Sequence, residues 1–371
     1  MPEIPVAAAP SIRLRRAAAW RGVRVLAWDG DILYGCRGYQ VITLNCDQQV
    51  SGNSNWSSLA RFNPVWWRKL TSHSTLGYRL VRDGFHALAI LGGEKKQQTM
   101  VGAVPGALVT RTAESDEFYI THQILRGTRP LHITPVPSGN VYWGEYFDNR
   151  ERSEVHIYAS TDRGCTWQIA YTFPAGSIRH VHNIVYDPWA DCLWILTGDS
   201  GAECKVMRAS SDLRSVETIL VGNQQARAVA LLPTKGALYL STDTPSEKNH
   251  VYRFHRTGDV ERVGDLASSS IFGCRVSCQD GNSDREAMFF STMVEPSTEN
   301  LSREVQLVGS GDGEIWPVLA RWEKDNLPMR YFQYGNAFLP DGENRTRYLA
   351  ATTIAVKSDD LVTTLWEVGL A

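Results

Sequence analysis

One short segment constrains the fold of this chain more than any other. The segment Ser160 to Trp167 reads STDRGCTW and matches the pattern Ser-x-Asp-x-Gly-x-Thr-Trp at every defined position. In such a segment the aspartate can accept hydrogen bonds from turn amides, the glycine supplies an unusual backbone angle and the tryptophan packs between sheets. The pattern therefore predicts a tight turn between two strands whose role is structural and not catalytic.

Weaker copies of this turn recur at a regular interval. Each places an acidic residue between two predicted strands, and they lie at Asp47, Asp212, Asp259, Asp312 and Asp360. From Asp162 onward the steps are 50, 47, 53 and 48 residues, and the 115 residues between Asp47 and Asp162 leave room for one more copy. Repeats of this length with four short strands each are typical of a β-propeller. The count predicts seven four-stranded blades, with six as the alternative.

The remaining sequence fits an all-β chain. Runs rich in Val, Ile, Tyr, Trp and Thr alternate with turns such as Asp29-Gly30 and Asp341-Gly342, and helical periodicity is nearly absent. Length alone would suggest two or three domains, but a repeat architecture predicts one propeller over residues 1–371. The last repeat lacks a strand, so we expect the N-terminal extension, residues 1–19, to help close the ring through Ile12–Ala18, or else Val23–Trp28 to do so.

Charge and cysteine usage exclude several classes of function. A formal net charge of −2 gives no basic footprint for nucleic acid. No apolar run has the length of a membrane span or follows the basic start of a signal peptide. The seven cysteines are scattered and odd in number, which predicts reduced thiols and a cytoplasmic protein. The oligomeric state stays open.

Strand order sorts the loops of a propeller between its two faces. The turns between strands one and two and between strands three and four share one face, and all other connections share the opposite face. The second face therefore collects polar side chains from the third to fifth repeats. These are Arg129, His132, Glu145, Tyr146, Asn149, Arg179, His180, His182, Asp199, Glu203, Gln225, Arg227, Asp243, Glu247 and Asn249. Convergent polar groups on a rigid scaffold predict a binding or catalytic pocket there, against the alternative of a solvated rim.

Two histidines stand out in this set. His180 and His182 alternate along a predicted innermost strand, so their side chains share one side. Such a pair can act as general base and acid, or bind a divalent metal together with a carboxylate such as Glu145. The other interpretation is a pair of satisfied structural histidines.

Three arginines precede successive repeats in the same region. Arg129, Arg179 and Arg227 could grip the carboxylate of an acidic ligand bidentately if they converge. Each could instead pair with a nearby aspartate. The predicted binding residues are these three together with His132, Asn149, Glu203, Gln225, Asp243, Glu247 and Asn249.

The stretch from Arg129 to Asp162 resembles the first blade of sialidases, in which an arginine and a proline precede a strand, a glycine turn and an Asp box. The resemblance implies membership of the Asp-box (BNR) sialidase-like superfamily, and Arg129 would then match the arginine that binds the substrate carboxylate. The chemical inventory also resembles that of seven-bladed polysaccharide lyases. In those enzymes His and Tyr act as base and acid while Arg or a metal neutralises a carboxylate.

The leading hypothesis is an enzyme that cleaves a bond in an acidic saccharide by elimination. His180, His182, Tyr146, Glu145 and Asp199 are the predicted catalytic residues, and a divalent metal is a possible cofactor. One alternative is a sialidase-like glycoside hydrolase that uses Glu145 or Asp199 with Asp243. The others are a noncatalytic glycan-binding or assembly propeller and a cytoplasmic enzyme acting on a small acidic metabolite.

Overall fold

Short strands and turns form successive four-stranded antiparallel units, and a short parallel pairing of Arg61 and Phe62 with Glu117 and Phe118 joins the first two of them. A computed structural model describes residues 11–46, 55–92, 98–280 and 283–370. An N-terminal strand, β1 (Ile12–Arg21), comes first. The first three sheets then comprise β2 (Arg24–Gly30), β3 (Ile32–Arg37), β4 (Gln40–Asn45) and β5 (Ser57–Phe62); β6 (Ala87–Leu91), β7 (Thr99–Val104), β8 (Ala107–Arg111) and β9 (Glu117–Gln123); and β10 (Thr134–Pro135), β11 (Val141–Gly144), β12 (Val155–Ser160) and β13 (Gln168–Phe173).

The next three sheets follow the same plan, and in the last sheet β1 supplies the fourth strand. They comprise β14 (His180–Asp187), β15 (Cys192–Gly198), β16 (Lys205–Ser210) and β17 (Val216–Val221); β18 (Ala228–Pro233), β19 (Ala237–Thr242), β20 (Asn249–His255) and β21 (Val260–Leu266); β22 (Ser270–Asp280), β23 (Ser283–Thr292), β24 (Glu304–Ser310) and β25 (Val318–Glu323); and β26 (Asn336–Phe338), β28 (Tyr348–Ile354), β29 (Val362–Leu370) and β1. A short strand, β27 (Asp341–Asn344), lies between β26 and β28. The prediction of an all-β propeller with seven four-stranded blades is confirmed.

The ends of the described chain meet in the seventh blade. β1 pairs antiparallel with β29 along its length, from Ile12 opposite Leu370 to Arg21 opposite Val362. This pairing occupies most of the segment that we expected to close the ring. On the inner side, β27 leaves its own blade and pairs in parallel with β2 of the first blade. The seam between the last and first blades is therefore hydrogen-bonded at both its outer and inner sides.

The hydrophobic core lies between neighbouring blades. Between the third and fourth blades, for example, Ile157 packs with Ile184 and Ile195, and all three are buried. Burying one such side chain contributes about 1.5 to 3 kcal/mol of transfer free energy. Each sheet thus buries its faces only against the sheets beside it, which fixes the positions of the loops at the two ends of the strands.

The segment Ser160–Trp167 forms the turn between the third and fourth strands of its blade, as predicted. Asp162 Oδ1 accepts hydrogen bonds from the backbone amides of Thr166 at 2.8 Å and Cys165 at 3.1 Å, and Oδ2 accepts from the Thr166 hydroxyl at 2.6 Å. Gly164 has a φ of +86°, which favours glycine. Asp312 accepts a similar set of bonds between β24 and β25.

The weaker copies of the turn at Asp360 and Asp47 have different outcomes from the others. Asp360 lies between β28 and β29, which are the second and third strands of the seventh blade, so it is on the opposite face from Asp162. The repeat assignment of Asp360 is wrong because β1, from the other end of the chain, supplies the fourth strand of that blade. Asp47 lies outside the described residues.

Helices occur mainly on the connections between blades. α1 (Trp66–Thr71) and α2 (Thr75–Val81) join the first two blades, and α3 (Met329–Phe332) joins the last two. Short 3-10 turns cover Gly201–Glu203 and Gln224–Ala226. None of the helices in the described ranges combines the length and apolar character that a membrane span requires.

Candidate functional site

Side chains from neighbouring blades meet on one face of the propeller. We define the site face as the end that carries the blade-to-blade connections and the loops between second and third strands, and the turn face as the end with the Ser160–Trp167 turn. Asp199 follows β15, and its Oδ2 accepts a hydrogen bond from Arg179 Nη1 at 2.9 Å. Arg227 Nη2, just before β18, lies 3.3 Å from both Asp199 Oδ1 and Asp243 Oδ2. We name the following set the channel cluster: His180, His182, Asp199, Arg227 and Asp243.

A β-bulge positions one member of the cluster. Val181 pairs with Thr197 and Asn183 with Leu196, so His182 is the extra residue between them. A bulge of this kind re-aims a side chain at the end of a strand. Opposite the bulge, a Cβ on Gly198 would lie 2.5 Å from Cε1 of His182, so only glycine leaves room for the imidazole.

The two histidines and the aspartate direct their remaining acceptor atoms to one point. Nδ1 of His180 bonds to the carbonyl oxygen of Phe147 and Nδ1 of His182 to that of Ala228, each at 2.9 Å. Because a carbonyl can only accept, each Nδ1 carries the proton and each neutral Nε2 carries a lone pair. The two Nε2 atoms are 3.1 Å apart and lie 3.4 and 3.2 Å from Asp199 Oδ1. Three acceptors at these distances require a proton on one histidine or a cation between them.

Charge within the cluster is concentrated on Asp199. Burial opposes its ionisation, but the neighbouring His180 and His182 and the charge of Arg227 hold its pKa well below the ordinary value. Burial also lowers the pKa of His182, while Asp199 opposes that shift. Asp199 is therefore a carboxylate at neutral pH, and a buried anion of this kind attracts a proton or a metal cation.

Two further carboxyl groups near Arg227 have the opposite tendency. Burial, followed by the charges of Glu295 and Asp199, raises the pKa of Asp243 to about 7, although Arg227 opposes the shift. Burial also raises the pKa of Glu295. Asp243 therefore retains its proton into the neutral range, where it can act as an acid, and burial favours the protonated form of Glu295 as well.

Tyr146 lies against the histidines. Its ring centroid is 4.3 Å from that of His180 and 6.2 Å from that of His182. Burial, followed by the charges of Asp243 and Asp199, raises the pKa of Tyr146 to about 12. Its hydroxyl is therefore a proton donor at neutral pH, and its ring packs against two side chains that can accept protons.

The carboxylate that joins the histidines is Asp199 and not Glu145. Glu145 accepts a hydrogen bond from Arg126 Nε at 2.9 Å and another from the backbone amide of His156 at 2.8 Å. The group with metal-ligand geometry in the described ranges is His180, His182 and Asp199, whose donor atoms all lie within 4.8 Å of one another. Two imidazoles and one carboxylate suit Zn²⁺, Mn²⁺ or Fe²⁺. The side chain of Glu145 turns to the boundary between the second and third blades, where it forms an ion pair with Arg126.

The three predicted binding arginines have different environments. Arg179 pairs with Asp148 and Asp199, and Arg227 with Asp199 and Asp243, so both are already neutralised by acids. Arg129 has no ion pair with any described residue. We expected all three arginines to converge on one ligand, and the structure does not bring them together in that way.

The other predicted binding residues lie on the site face but outside the channel cluster. All of them except His132 have a partner in their own loop or in a neighbouring one, and His132 contacts β27 of the seventh blade. Asn149 accepts from Ser153, Glu203 pairs with Arg152, Gln225 donates to Glu247, Asn249 bonds to Thr244 and Asn300, and His132 Nδ1 lies 3.0 Å from Asp341 Oδ2. These contacts hold the loops that surround the cluster.

One site residue was missed by sequence analysis. Glu295 follows β23, in the loop that corresponds to the Asp243 loop one blade earlier. The signal was present, because the sequence around Phe289–Thr292 resembles that around Tyr239–Thr242, and both precede an acidic residue and a proline. The equivalent loops of two blades thus both supply carboxyl groups near Arg227.

Comparisons with known proteins give the fold alone. No protein-family model matches the chain, and no curated protein matches it. Among solved structures, the WD40 β-propeller domain of Doa1 has a TM-score of 0.53 at 10% identity and covers 96% of this chain and 97% of its own. The β-propeller domain of Cps50 (Swd1) from Myceliophteria thermophila has a TM-score of 0.53 at 11% identity, with 96% and 99% coverage.

A propeller enzyme is also similar. An ancestral GH74 enzyme has a TM-score of 0.50 at 12% identity, and the match covers 86% of this chain and 41% of that one. At such identities the similarity extends to the architecture and not to the chemistry. This chain is a β-propeller.

Proposed function

We propose that the protein is an enzyme that cleaves a bond in an acidic saccharide, by elimination, at the channel cluster. The observation that carries the proposal is the convergence of the lone-pair atoms of His180 and His182 with the Asp199 carboxylate on the site face. Both histidines are fixed by backbone carbonyls, so their orientation is set before any ligand binds. Preorganised groups of this kind suit catalysis better than adaptable binding.

Elimination beside a carboxyl group requires a base, an acid and positive charge near the carboxylate. In the proposed step the carbon next to the carboxyl group loses its proton to the histidine pair, and the electron pair of that bond forms a C=C double bond. The C–O bond at the following carbon breaks, and the departing oxygen takes a proton from the Tyr146 hydroxyl. Tyr146 suits the last role because burial keeps its proton bound at neutral pH.

A metal would change the roles within the same site. His180, His182 and Asp199 would hold a divalent cation, which would supply Lewis-acid stabilisation of the substrate carboxylate. The base would then come from outside the histidine pair. We propose a cytoplasmic location for the reaction, which the seven free cysteines support.

Product chemistry tests the proposal. Purified protein is incubated with oligogalacturonate and with a glucuronate-containing oligosaccharide, and the ultraviolet absorbance of an unsaturated uronide is followed together with reducing ends. We expect the absorbance to rise, and His182→Gln to reduce the rate by about 100-fold or more. His255→Gln is the matched control, because His255 lies outside the channel cluster and pairs with Glu261.

Three results would count against the proposal. Reducing ends without ultraviolet absorbance would indicate hydrolysis. Ligand binding that is unchanged in His182→Gln, with no product, would indicate a noncatalytic module. Equal losses in His182→Gln and His255→Gln would show that the channel cluster has no special part in the reaction. Assays after dialysis against a chelator, with and without added Mn²⁺, separate the metal-bound arrangement from the metal-free one.

A further inference from the structure

The helical connections on the site face leave large apolar side chains in water. On α1, Trp66 is 74% exposed and Leu70 is 65% exposed, and on α2 the exposed fractions of Leu76 and Leu80 are 57% and 53%. A surface helix normally turns its apolar side chains toward the core and its charged ones toward solvent. Both of these helices do the reverse.

A buried carboxylate sets the orientation of α1. Asp83 is fully buried, and it accepts hydrogen bonds from Arg68 at 2.7 Å and from the hydroxyl of Thr71. Arg68 and Thr71 are three residues apart and therefore lie on the same side of α1. These contacts hold the polar side of α1 against the propeller, so that Trp66 and Leu70 point to solvent and no residue of α1 is buried.

A buried arginine sets the orientation of α2. Arg79 pairs with Asp325 and Asp360, and it also donates to a carbonyl oxygen of α3. Leu76 and Leu80 are four residues apart, so they form an exposed row on the same helix. Burying charged groups while leucines remain in water costs stability, and a surface that covers the leucines would offset that cost.

The exposed apolar side chains lie on adjoining helices, because α2 contacts both α1 and α3. Gln333, just after α3, donates from Nε2 to the carbonyl oxygen of Arg79 at 3.0 Å, which ties α3 to α2. Tyr331 of α3 is exposed as well. We name the following set the helical patch: Trp66, Trp67, Leu70, Leu76, Leu80 and Tyr331.

The exposed charges beside the helical patch are positive. Lys69, Arg82 and Arg330 are exposed, and none of them has an ion pair with a described residue. Residues 62–82 and 326–339 contain no Asp or Glu. Charge complementarity therefore selects a partner that is negative at its surface and apolar beneath it. A bilayer with anionic phospholipids has this character, since its head groups attract Lys and Arg while the boundary below them accepts Trp, Tyr and Leu.

The shape and composition of the helical patch favour a bilayer over a folded protein as the partner. Because no residue of α1 is buried, this helix lies on the outside of the propeller, where its apolar side chains can enter a deformable surface. Cations lie next to the aromatic rings, with the Cζ of Arg68 4.6 Å from the ring centroid of Trp67 and that of Arg330 5.7 Å from the ring centroid of Tyr331. Rings and cations at one level suit the interface between head groups and acyl chains.

We propose that the helical patch docks the protein on the surface of a bilayer that contains anionic phospholipids, with no segment crossing it. Apolar side chains of α1 and α2 enter the head-group boundary, and Lys69, Arg82 and Arg330 contact lipid phosphates. Docking of this kind is independent of the reaction proposed at the channel cluster.

Flotation of the whole protein with lipid vesicles tests the proposal. The vesicles contain phosphatidylcholine alone, or phosphatidylcholine and phosphatidylglycerol in equal amounts. We expect the protein to float with the anionic vesicles and much less with the neutral ones. Rising salt concentration should release it, because salt screens the attraction between Lys or Arg and the head groups.

Variants of exposed residues test the helical patch without disturbing the core. Trp66→Gln combined with Leu70→Gln should reduce the partition coefficient on anionic vesicles by roughly tenfold or more, because two apolar side chains no longer enter the lipid. Lys69→Gln should reduce it by roughly fivefold. The matched controls are Ile315→Gln and Lys235→Gln, which change an exposed apolar residue and an exposed lysine on the turn face and should float as wild type does.

His182→Gln separates this proposal from the proposed function, because it should lose the reaction and still float with anionic vesicles. No flotation with either kind of vesicle, equal flotation with both, or equal losses in the patch variants and the turn-face controls would overturn the proposal. A dimer in size-exclusion chromatography that Trp66→Gln with Leu70→Gln abolishes, without vesicle binding by wild type, would overturn it in favour of a second copy of the chain.

Discussion

His182 shows how a single backbone irregularity decides the chemistry of a side chain. It is the extra residue of a bulge at the start of β14, and the innermost strands β2, β18 and β22 carry bulges at the equivalent position, at Leu26, Val229 and Ile271. In those blades the bulged residue is apolar. Only in the fourth blade does the repeated irregularity present an imidazole, so the site uses a position that the architecture provides in several blades.

Asp243→Asn should change how stability depends on pH. Burial raises the pKa of Asp243 from 3.8 to about 7, so between these values the folded protein holds a proton that the unfolded chain has released. This contribution is complete below the unfolded pKa and is lost as pH rises through the folded one. The free energy of unfolding of wild type should therefore fall relative to that of Asp243→Asn by up to about 1.4 kcal/mol per pH unit in that window.

Urea denaturation at intervals across this range measures the difference. Asp259→Asn provides the control, because Asp259 lies in an exposed turn, and its pH profile should follow that of wild type. Parallel profiles for Asp243→Asn and wild type would show that Asp243 is already ionised in the folded protein.

At the scale of single residues, the sequence identified which residue types form the site but not which of them contact one another. Strand order placed His180, His182, Asp199, Glu145 and Asp243 on one face, which the contacts between their loops agree with. Strand order does not say how deep a side chain reaches or which way it turns. Glu145 and Asp199 each directly follow the second strand of their blade. Glu145 nevertheless pairs with Arg126, whereas Asp199 contacts the histidines.

Turns and connections hold the blades in register at the scale of the element. The Ser160–Trp167 turn satisfies its own amides through Asp162, and Trp167 Nε1 donates across to Thr121 of the second blade at 3.2 Å. The turn thus stabilises its hairpin and also contacts the neighbouring sheet. Similar geometry at Asp312, despite a changed sequence, shows that the serine and aspartate carry most of the arrangement.

Asp162→Ala should lower the free energy of unfolding by about 1 to 2 kcal/mol, because two backbone amides and two hydroxyls lose their acceptor. Denaturant titration measures the loss. In Asp259→Ala, where the aspartate accepts one long bond from Thr257 at 3.5 Å, the change should stay within about 0.5 kcal/mol. Equal losses in the two variants would remove any special role for the complete motif.

Arg79→Met should detach the helical connection between the first two blades. Arg79 is 1% exposed and binds Asp325 at 2.6 Å, Asp360 at 3.0 Å and the Phe332 carbonyl at 2.7 Å. Its removal leaves Asp360 without an ion pair and Asp325 with Lys324 alone, which costs about 3 to 5 kcal/mol. We expect a lower denaturation midpoint and faster proteolysis within residues 63–86.

The control for this variant is Arg61→Met, which breaks an exposed pair with Glu117 and should cost less than about 1 kcal/mol. If Arg79→Met is no more sensitive to protease than Arg61→Met, the connection is held by its apolar contacts. The role of Arg79 was not visible in the sequence, because its two acidic partners come from the opposite end of the chain. Asp360 was assigned to the wrong face because the strand that completes its blade, β1, also comes from the opposite end of the chain.

The whole molecule depends on closure of a ring. Spacing of the acidic turns led to the prediction of seven blades, because each blade is one repeat of nearly constant length, although Asp360 belongs to a different turn of its blade. The inner half of the closure could not be predicted. β27 pairs with β2 although more than 300 residues separate them, and nothing in the local sequence marks a strand that leaves its own blade.

Removal of residues 1–21 should destabilise the ring as a unit. Without β1, the edge of β29 loses its partner from Val362 to Leu370 and becomes available for intermolecular pairing. We expect a lower melting temperature and soluble aggregates in size-exclusion chromatography. Arg15→Ala, which removes only the ion pair with Glu367, should behave as wild type, and equal behaviour of the truncated chain would show that β27 alone closes the ring.

The separation of the two faces has a practical consequence. Cys165 lies in the Ser160–Trp167 turn and is partly exposed, whereas the other cysteines are buried. A thiol-reactive linker would attach the protein through the turn face and leave the site face exposed to solvent. Immobilised in this way, every molecule on a sensor surface would present its histidines and arginines in the same orientation to a passing ligand.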